Sequence, residues 1–415
     1  MKIKSKAVKK KIKRFVWGLL WKTKKKKLNL NYEAVISRVK SNHSPCRVVF
    51  LVRENQKWSA QSLYDAMEND VAFCPIIAVS QLGGDKQTGR VSVEENYRFF
   101  SRKGMEVVSV YDNASGKYLD LRELRPDIVF YDQPYWIPSE HSIKAVSEFA
   151  LTCYLPYGYG IYLVKDSSQT SPDFFPLLWR CFIEAESVIR QWDEKPISNY
   201  DNYVKIGYPK VDPLIFDERG SVDRFRRVIY APHHSLEEQH HNRYGTFLWS
   251  GQKVLELARR NKDVEWVFKP HPKLKQVLVD NGLMTLEQVE EYYSSWDGVE
   301  NRKICDTGDY LNLFASSDLL ITDSASFLME YLFTGKPIIH LISSTTKGYG
   351  DFGESIVKEY YKAFDQQSLA DVVEQVVLRD EDFKKENRLS LIEWPESRAG
   401  ERIMLYLKGE VLGAR

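Results

Sequence analysis

Residues 318–330, DLLITDSASFLME, place a strand, a short polar turn and a helix in direct succession. Residues 319–322 are apolar and end in a β-branched threonine, which is typical of a buried strand. Ser324 and Ser326 then lie at the start of a helical pattern, where unpaired backbone amides and the positive end of the helix dipole attract anions. The stretch therefore predicts one strand–helix unit of a parallel sheet, with an anion at the turn.

The same alternation runs along the chain on both sides of this stretch. Short β-branched runs alternate with helical patterns in two successive series, and each series is long enough to form a sheet of its own. We therefore expect an α/β fold with two Rossmann-like domains. The predicted strands are residues 47–52, 74–79, 106–111, 128–131 and 151–155, then 228–231, 264–269, 319–322 and 337–341; predicted helices include 59–68, 142–149, 369–377 and 382–388.

Length and composition set the number of domains. A chain of 415 residues with 43% hydrophobic residues can bury two or three cores. Prolines and glycines place the join between the two series within residues 193–226. We expect a basic segment at 1–30, Rossmann-like domains at 44–200 and 201–380, and C-terminal helices at 381–415 that pack back on the body.

Five cysteines lie far apart and form no CxxC pair. This pattern indicates neither a disulfide framework nor a zinc site, and it favours a reducing, cytoplasmic setting.

The charge of the chain is divided unevenly. Residues 1–27 contain thirteen Lys or Arg and no acid, whereas the remainder has 46 basic and 57 acidic residues. Apolar residues recur at helical spacing in this basic segment, but the longest apolar run, 15–21, is far shorter than the roughly 20 residues of a membrane span. We expect an amphipathic helix on an anionic membrane surface. A solvated tail, a secretory signal and a nucleic-acid-binding arm are the alternatives; the acidic remainder would repel nucleic acid.

Histidines follow two predicted strands of the second series. His233 and His234 come directly after 228–231, and His271 follows 264–269 with a proline on each side. Ligands of doubly wound sheets bind beyond the carboxyl ends of strands, and imidazole acts there as an acid, a base or a phosphate ligand. Lys269 adds a charge suited to a phosphate. The alternative is a pair of loops whose histidines cap helices or face water.

Thr322 and Asp323 belong to the turn that Ser324 continues. Glu330 lies four residues after Ser326 on the same helix face, where it is placed to accept hydrogen bonds from ribose hydroxyls. The alternative is helix capping by Asp323 or Ser324 without a ligand.

Four motifs together resemble one enzyme family. GYPKVD (207–212), KPHP (269–272), SDLLITDSAS (317–326) and GKP (335–337) resemble the CDP-glycerol glycerophosphotransferase family of teichoic-acid and capsule synthesis. The resemblance covers about residues 150–380. It implies a GT-B architecture of two Rossmann-like domains facing across a cleft, with the acceptor on the N-terminal domain and the nucleotide donor on the C-terminal one. Family enzymes are peripheral membrane proteins, which implies a place on the cytoplasmic face of the cell membrane. The donor-binding residues would be Lys269, Thr322, Asp323, Ser324, Ser326, Glu330, Gly207 and Pro209.

The chain departs from the family pattern in the first series. The family usually carries a His-Gly-Thr turn, whereas residues 156–159 are PYGY, with Tyr157 at the expected histidine position. A phenol with an ordinary pKa near 10 is a poor base at neutral pH. Asp132, which follows the preceding strand, is an available substitute. Asp132 or Tyr157 is therefore expected to be the acceptor-side base or orienting group.

The resemblance implies transfer of a glycerol-phosphate or related alditol-phosphate group. The donor would be a CDP-alcohol, the acceptor a hydroxyl of a cell-surface glycan or polymer, and the leaving group CMP. His271 and Lys269 would stabilise the diphosphate, with His233 or His234 near the transferred group. No Asp-x-Asp ends a predicted strand, so no tightly bound metal or other cofactor is expected. The alternatives are a GT-B nucleotide-sugar glycosyltransferase of capsule or lipopolysaccharide synthesis and an inactive, membrane-attached partner.

Overall fold

The computed structural model describes residues 25–42, 44–81, 86–158, 174–184, 201–215, 226–236, 243–306, 310–346, 348–391 and 398–413. The chain forms two compact units. The first consists of residues 1–157, 166–210 and 397–415, and the second of 158–165 and 211–396. The predicted boundary between 200 and 201 precedes the observed division after Lys210. Most of the predicted basic segment, 1–30, lies outside the described residues.

The first unit is built on a sheet of seven parallel strands. They are β1 (Cys46–Val52), β2 (Phe73–Val79), β3 (Val107–Ser109), β6 (Ile128–Tyr131), β7 (Leu151–Tyr154), β8 (Arg180–Ile183) and β9 (Tyr203–Lys205); β4 (Tyr111–Asp112) and β5 (Lys117–Tyr118) form a separate antiparallel pair. The sheet order is β3-β2-β1-β6-β7-β8-β9. The chain thus moves outward from β1 and then returns to its other side, which makes the β1–β6 junction the switch point of a doubly wound sheet.

Four helices of the first unit precede its last strands. They are α1 (residues 25–41), α2 (Gln61–Glu68), α3 (Lys86–Arg102) and α4 (Ile143–Val146). Helix α1 buries Leu28, Tyr32, Val35 and Val39, a spacing of three and four residues that forms one apolar stripe. The Tyr32 hydroxyl is 2.5 Å from Thr152 Oγ1 on β7, so this helix is anchored to the sheet by a buried polar contact as well.

The second unit repeats this plan with six parallel strands. They are β10 (Arg226–Ala231), β11 (Val264–Phe268), β12 (Arg302–Ile304), β13 (Leu319–Thr322), β14 (Ile338–Leu341) and β15 (Tyr361–Ala363). Their order, β12-β11-β10-β13-β14-β15, is that of a dinucleotide-binding Rossmann sheet, with the switch point between β10 and β13.

Helices of the second unit cover this sheet and bury an aromatic core. The rings of Phe268 and Trp296 stack with centroids 5.2 Å apart, and Trp266 is fully buried in the same core. The helices are α5 (Phe247–Arg260), α6 (Leu274–Asp280), α7 (Leu286–Ser294), α8 (Leu311–Ser316), α9 (Ala325–Glu330), α10 (Asp351–Val357), α11 (Gln366–Val373) and α12 (Lys385–Leu389).

The chain then returns to the first unit with helix α13 (Ala399–Leu407). This helix packs against α2 so closely that a Cβ at Gly400 would lie 2.4 Å from the backbone nitrogen of Leu63. Arg180 of β8 adds a hydrogen bond of 2.6 Å to the Tyr406 hydroxyl. The first unit is therefore completed by residues from the far end of the chain.

We expect Gly400→Ala to lower the free energy of unfolding of the first unit by about 3 kcal/mol. A methyl group cannot be placed 2.4 Å from a backbone atom, so α13 has to shift away from α2. The matched control is Gly409→Ala, because a Cβ at Gly409 meets no atom within 4 Å. Urea unfolding of both variants tests the packing, and equal stability of the two would contradict it.

Most predicted strands are observed within two residues of their expected ends, and the strands that were not predicted are short. Five observed strands have no predicted counterpart: β5, β8, β9, β12 and β15. The expected strand at 106–111 is interrupted after Ser109. The predicted helix at 142–149 is reduced to Ile143–Val146. Within the described part of the chain, no helix is long and apolar enough to cross a membrane.

Candidate active site

The switch point of the second unit brings two predicted site segments together. Ala231, the last residue of β10, is the register partner of Thr322, the last residue of β13. The Thr322 hydroxyl donates to the Ala231 carbonyl oxygen at 2.6 Å and accepts the backbone N–H of Ser324 at 3.0 Å. Thr322 therefore holds the two strand ends together, and the Ser324 amide is engaged within the protein.

Asp323 organises the loop that carries the histidines. Its carboxylate, which is buried, accepts the backbone N–H of His233 at 2.5 Å and both the backbone N–H and the hydroxyl of Thr246, at 2.6 and 2.8 Å. Burial raises the pKa of Asp323 to about 7, and these hydrogen bonds oppose the rise. The Asp323 carboxylate thus holds the backbone of His233 in place, and the predicted contact of Asp323 with the donor stays a prediction.

Three histidines form a cluster beyond the ends of β10 and β11. The ring centroids lie 4.4 Å apart for His233 and His234, 3.9 Å for His234 and His271, and 5.1 Å for His233 and His271. The backbone N–H of His271 donates to the Pro232 carbonyl oxygen at 3.1 Å, which joins the two loops directly. The structure thus brings all three predicted histidines together, from segments almost 40 positions apart in the chain.

Backbone hydrogen bonds set the tautomer of two of these rings. The N–H of Ser235 donates to His233 Nδ1 at 3.2 Å, and the N–H of Lys273 donates to His271 Nδ1 at 3.1 Å. A nitrogen that accepts a backbone N–H carries no proton, so each neutral ring carries its proton on Nε2. Burial, followed by the neighbouring His234, lowers the pKa of His271 to about 3. His271 is therefore a neutral Nε2–H donor at physiological pH.

This histidine cluster also meets the distance criterion for a metal site. One nitrogen from each of the three rings lies within 4.8 Å of the others. A metal on Nε2 needs the proton on Nδ1, however, and in His233 and His271 Nδ1 already accepts a backbone N–H. The donor set thus fits an anion better than a cation, and the expectation of no tightly bound metal stays a prediction.

Lys269 and Glu330 lie in the same unit, on either side of Tyr310. The ammonium group of Lys269 is 5.6 Å from the centroid of the Tyr310 ring, and the Tyr310 hydroxyl donates to the Glu330 carboxylate. Burial lowers the pKa of Lys269, and Cys305 and Asp306 oppose that shift. Glu330 is buried and accepts a hydrogen bond from this tyrosine, and its predicted contact with a ribose stays a prediction; Ser326 is half-buried on α9.

At the switch point of the first unit, as in the second, an aspartate carboxylate accepts a backbone N–H from the neighbouring strand's loop. Asp132 follows β6, as Asp323 follows β13, and its carboxylate accepts the backbone N–H of Arg53, the residue after β1, at 2.9 Å. The Arg53 guanidinium also donates to this carboxylate from Nε and Nη2, at 3.2 and 2.9 Å, and is fully buried. This pairing disfavours Asp132 as the free base expected from the sequence.

Tyr157 lies in a chain of polar contacts in the first unit. Its hydroxyl accepts a hydrogen bond of 3.0 Å from the Tyr135 hydroxyl, which in turn accepts one of 3.1 Å from Lys57 Nζ. Burial raises the pKa of Tyr157, so the phenol holds its proton more firmly than an ordinary tyrosine. The geometry suits a donor that orients a hydroxyl and does not suit a base.

Gly207 and Pro209, both predicted to bind the donor, have packing contacts in the first unit. Gly207 has a φ of +102°, and a Cβ there would lie 2.7 Å from Arg402 Nη2. The Pro209 carbonyl oxygen accepts a hydrogen bond from the Ser62 hydroxyl at 3.1 Å. The structure thus assigns these two residues to a different unit from Lys269 and the histidines.

Sequence patterns missed several residues that shape these sites. Arg53, Thr246 and Tyr310 stand in no recognisable motif, because each acts on a partner that is distant in the chain. Lys57 is part of NQK (55–57), where a short 3₁₀ turn follows β1. Because Lys57 closely follows a predicted strand of the first series, its position could have marked it as a candidate site residue.

The chain has two doubly wound units, and the second carries the histidine cluster at its switch point. This architecture is that of a GT-B type α/β protein. Residues 186–388 match the family described as CDP-Glycerol:Poly(glycerophosphate) glycerophosphotransferase. This match, to just under half of the chain, confirms the resemblance drawn from the motifs and supports a CDP-glycerol glycerophosphotransferase-like enzyme. No curated protein sequence matches it.

Solved structures with the same fold cover nearly the whole chain. The wall teichoic acid polymerase TagF with CDPG shares 12% identity, at 97% coverage of each chain and a TM-score of 0.58. The S. aureus MnaA–UDP structure shares 15% identity, covering 89% of this chain and 97% of that one, with a TM-score of 0.57. A putative UDP-N-acetylglucosamine 2-epimerase from Listeria monocytogenes shares 14%, covering 88% and 96%, at 0.55. At these identities the comparison establishes the fold alone.

Proposed function

We propose that this enzyme transfers a glycerol-phosphate or related alditol-phosphate group from a CDP-alcohol to a hydroxyl of a cell-surface glycan or polymer. The observation that carries the proposal is the convergence of His233, His234 and His271 at a switch point within the matched family region. The TagF structure with CDPG, which has the same fold, supports the choice of donor.

The proposed chemistry follows from the charges at this site. The oxygen of the acceptor hydroxyl forms a bond to the β-phosphorus and its proton passes to solvent, the bond from that phosphorus to the bridging oxygen breaks, and CMP leaves with the electron pair. Negative charge spreads over the phosphoryl oxygens, so fixed donors aimed at them lower the barrier. We assign the Nε2–H groups of His233 and His271 and the charge of Lys269 to this role, with His234 packed between them and Ser324 and Ser326 near the diphosphate.

On the acceptor side we assign an orienting role to Tyr157. Its hydroxyl already accepts a hydrogen bond from Tyr135 and keeps its proton for donation to an acceptor oxygen. Asp132 supports this region by fixing Arg53. We also propose that the enzyme requires no cofactor besides its donor, and that residues 1–27 hold it on the anionic cytoplasmic face of the cell membrane as a peripheral protein.

A donor panel tests this function. The full-length protein should bind CDP more tightly than UDP or GDP by calorimetry, and it should release CMP from CDP-glycerol or CDP-ribitol in the presence of a glycan acceptor. Release of UDP or GDP from sugar nucleotides would instead identify a glycosyltransferase on the same fold. Binding of no nucleotide at all would identify an inactive partner and overturn the proposal.

A further inference from the structure

A second concave site lies in the first unit, at the opposite ends of its strands. A cavity of about 670 Å³ opens beside the starts of β1, β2 and β6, whereas Arg53 and Asp132 follow the ends of β1 and β6. We call it the arginine pocket, because four arginines line it together with a single carboxylate, Asp127. The four are Arg38, Arg47, Arg122 and Arg125.

Two of these arginines are neutralised by carboxylates. Arg38, on helix α1, pairs with Asp127 at 2.9 Å. Arg122 pairs with Asp120 at 3.2 Å and with Glu148 at 2.9 Å. Both guanidinium groups are thereby held in position, and they add little net charge to the pocket.

The other two arginines keep their charge. Arg47 Nη1 donates to the Leu124 carbonyl oxygen at 3.1 Å, and the side chain of Arg125 has no hydrogen bond or ion pair with any residue that the structure describes. Within the described part of the chain neither guanidinium has a carboxylate partner. The pocket therefore presents two uncompensated positive charges.

The backbone holds Arg125 in an uncommon conformation. Its φ of +50° lies in the left-handed region, which costs a non-glycine residue roughly 1 kcal/mol. The turn is closed by a hydrogen bond of 2.9 Å from the Arg125 N–H to the Arg122 carbonyl oxygen, and the Arg122 guanidinium stacks 4.7 Å above the Phe149 ring. This left-handed conformation ends the 3₁₀ turn Leu121–Leu124 and fixes the backbone from which the Arg125 side chain extends.

We propose that the arginine pocket binds the phosphate group of an organic ligand, with Arg47 and Arg125 as its anion-binding side chains. Guanidinium groups match phosphate oxygens with paired donors, and a cavity of this size accommodates a phosphate together with the small polyol that carries it. The headgroup of an anionic phospholipid and a free polyol phosphate share this chemistry. This site is independent of the donor site, which lies in the second unit.

Binding to the full-length protein tests the proposal with two probes. Soluble sn-glycerol 3-phosphate is measured by calorimetry, and vesicles of phosphatidylglycerol are compared with vesicles of phosphatidylcholine by co-sedimentation. We expect Arg47→Gln/Arg125→Gln to weaken binding of one of these probes about tenfold or more. Weakened binding of the soluble probe identifies a free phosphate as the ligand, and weakened binding of the anionic vesicles alone identifies a lipid headgroup.

A charge-matched control separates the pocket from general electrostatics. Arg379→Gln is matched to the single variant Arg125→Gln, because each removes one exposed charge; Arg379 lies in the second unit and pairs with Glu374, so its replacement should leave both affinities unchanged. Arg125→Gln alone, at an exposed position, guards against misfolding of the double variant. Equal binding by the parent, the single variant and the double variant, or no binding of either probe by the parent, would overturn the proposal.

Discussion

Replacing His271 with alanine is expected to lower kcat for CMP release by about 10²- to 10⁴-fold, the range typical of removing a positioned proton or hydrogen-bond donor. The backbone N–H of His271 donates to the Pro232 carbonyl oxygen, and the backbone N–H of Lys273 donates to Nδ1 of the ring. Its Nε2–H is thus aimed before the substrate arrives. Steady-state CMP release by the purified variant measures the effect.

His340→Asn provides the matched control for this variant. His340 is a buried histidine of the second unit, on β14, whereas His271 is half-buried; burial lowers the pKa of both to about 3. Nε2 of His340 lies 3.2 Å from the Tyr349 hydroxyl, so its replacement should reduce stability while kcat changes by no more than about twofold. Equal losses of kcat in both variants would remove the special role of His271.

The pH profile separates two roles of His271. Because its pKa in the free enzyme is about 3, the ring stays neutral from pH 5 to 8 and contributes no titration to kcat/KM there. The parent and His271→Ala should therefore show profiles of the same shape over this range. An acidic limb that disappears in the variant would show that His271 titrates as a base.

Replacing Asp132 with alanine is expected to lower the free energy of unfolding of the first unit by about 3–5 kcal/mol. The change leaves the fully buried guanidinium of Arg53 without its countercharge, and such uncompensated charges are costly. The remaining acceptors, the carbonyl oxygens of Gln133 and Tyr135, replace only part of the loss. Urea unfolding of the variant measures this effect.

The double variant Arg53→Met/Asp132→Leu tests whether the cost of Asp132→Ala comes from the unpaired charge of Arg53. It removes both charges and keeps the volume apolar, so it should recover most of the stability that Asp132→Ala loses. A stable Asp132→Ala protein that has lost catalysis would instead show that Asp132 acts as the acceptor-side base. The two outcomes are separable because stability and turnover are measured independently.

The switch points of the two units have the same backbone arrangement, which gives a physical reason for the predictions on His271 and Asp132. In each unit, the aspartate that directly follows β6 or β13 accepts a backbone N–H from the loop that follows the neighbouring strand, β1 or β10. In the first unit the N–H belongs to Arg53, whose side chain returns to the same carboxylate; in the second it belongs to His233, whose ring joins the cluster. The same backbone arrangement thus supports the Arg53–Asp132 ion pair in the first unit and places the His233 ring in the histidine cluster of the second.

Local patterns in the sequence predicted most of the sheet but only part of the sites. Buried strands such as Ile128–Tyr131 and Leu319–Thr322 were predicted with their observed ends, because continuous apolar runs between turn residues are a strong signal. Two strands at the sheet edges have only three residues each and few apolar side chains: Tyr203–Lys205 and Arg302–Ile304. They are too short to show the alternation of apolar and polar residues that identifies a strand. Tertiary pairing alone makes them strands.

The amino-acid order by itself determined that this protein has two parallel α/β sheets and that histidines, a lysine and serines follow the strands of the second. Those features depend on hydrophobic period and turn chemistry, which act within a few residues. Only the tertiary structure decided which strand ends become neighbours, because β10 pairs with β13 and β1 with β6 across roughly 80 to 90 positions of chain. The pairing of β10 with β13 joined His233 to Asp323, the pairing of β10 with β11 brought His271 beside it, and the pairing of β1 with β6 placed Asp132 next to Arg53.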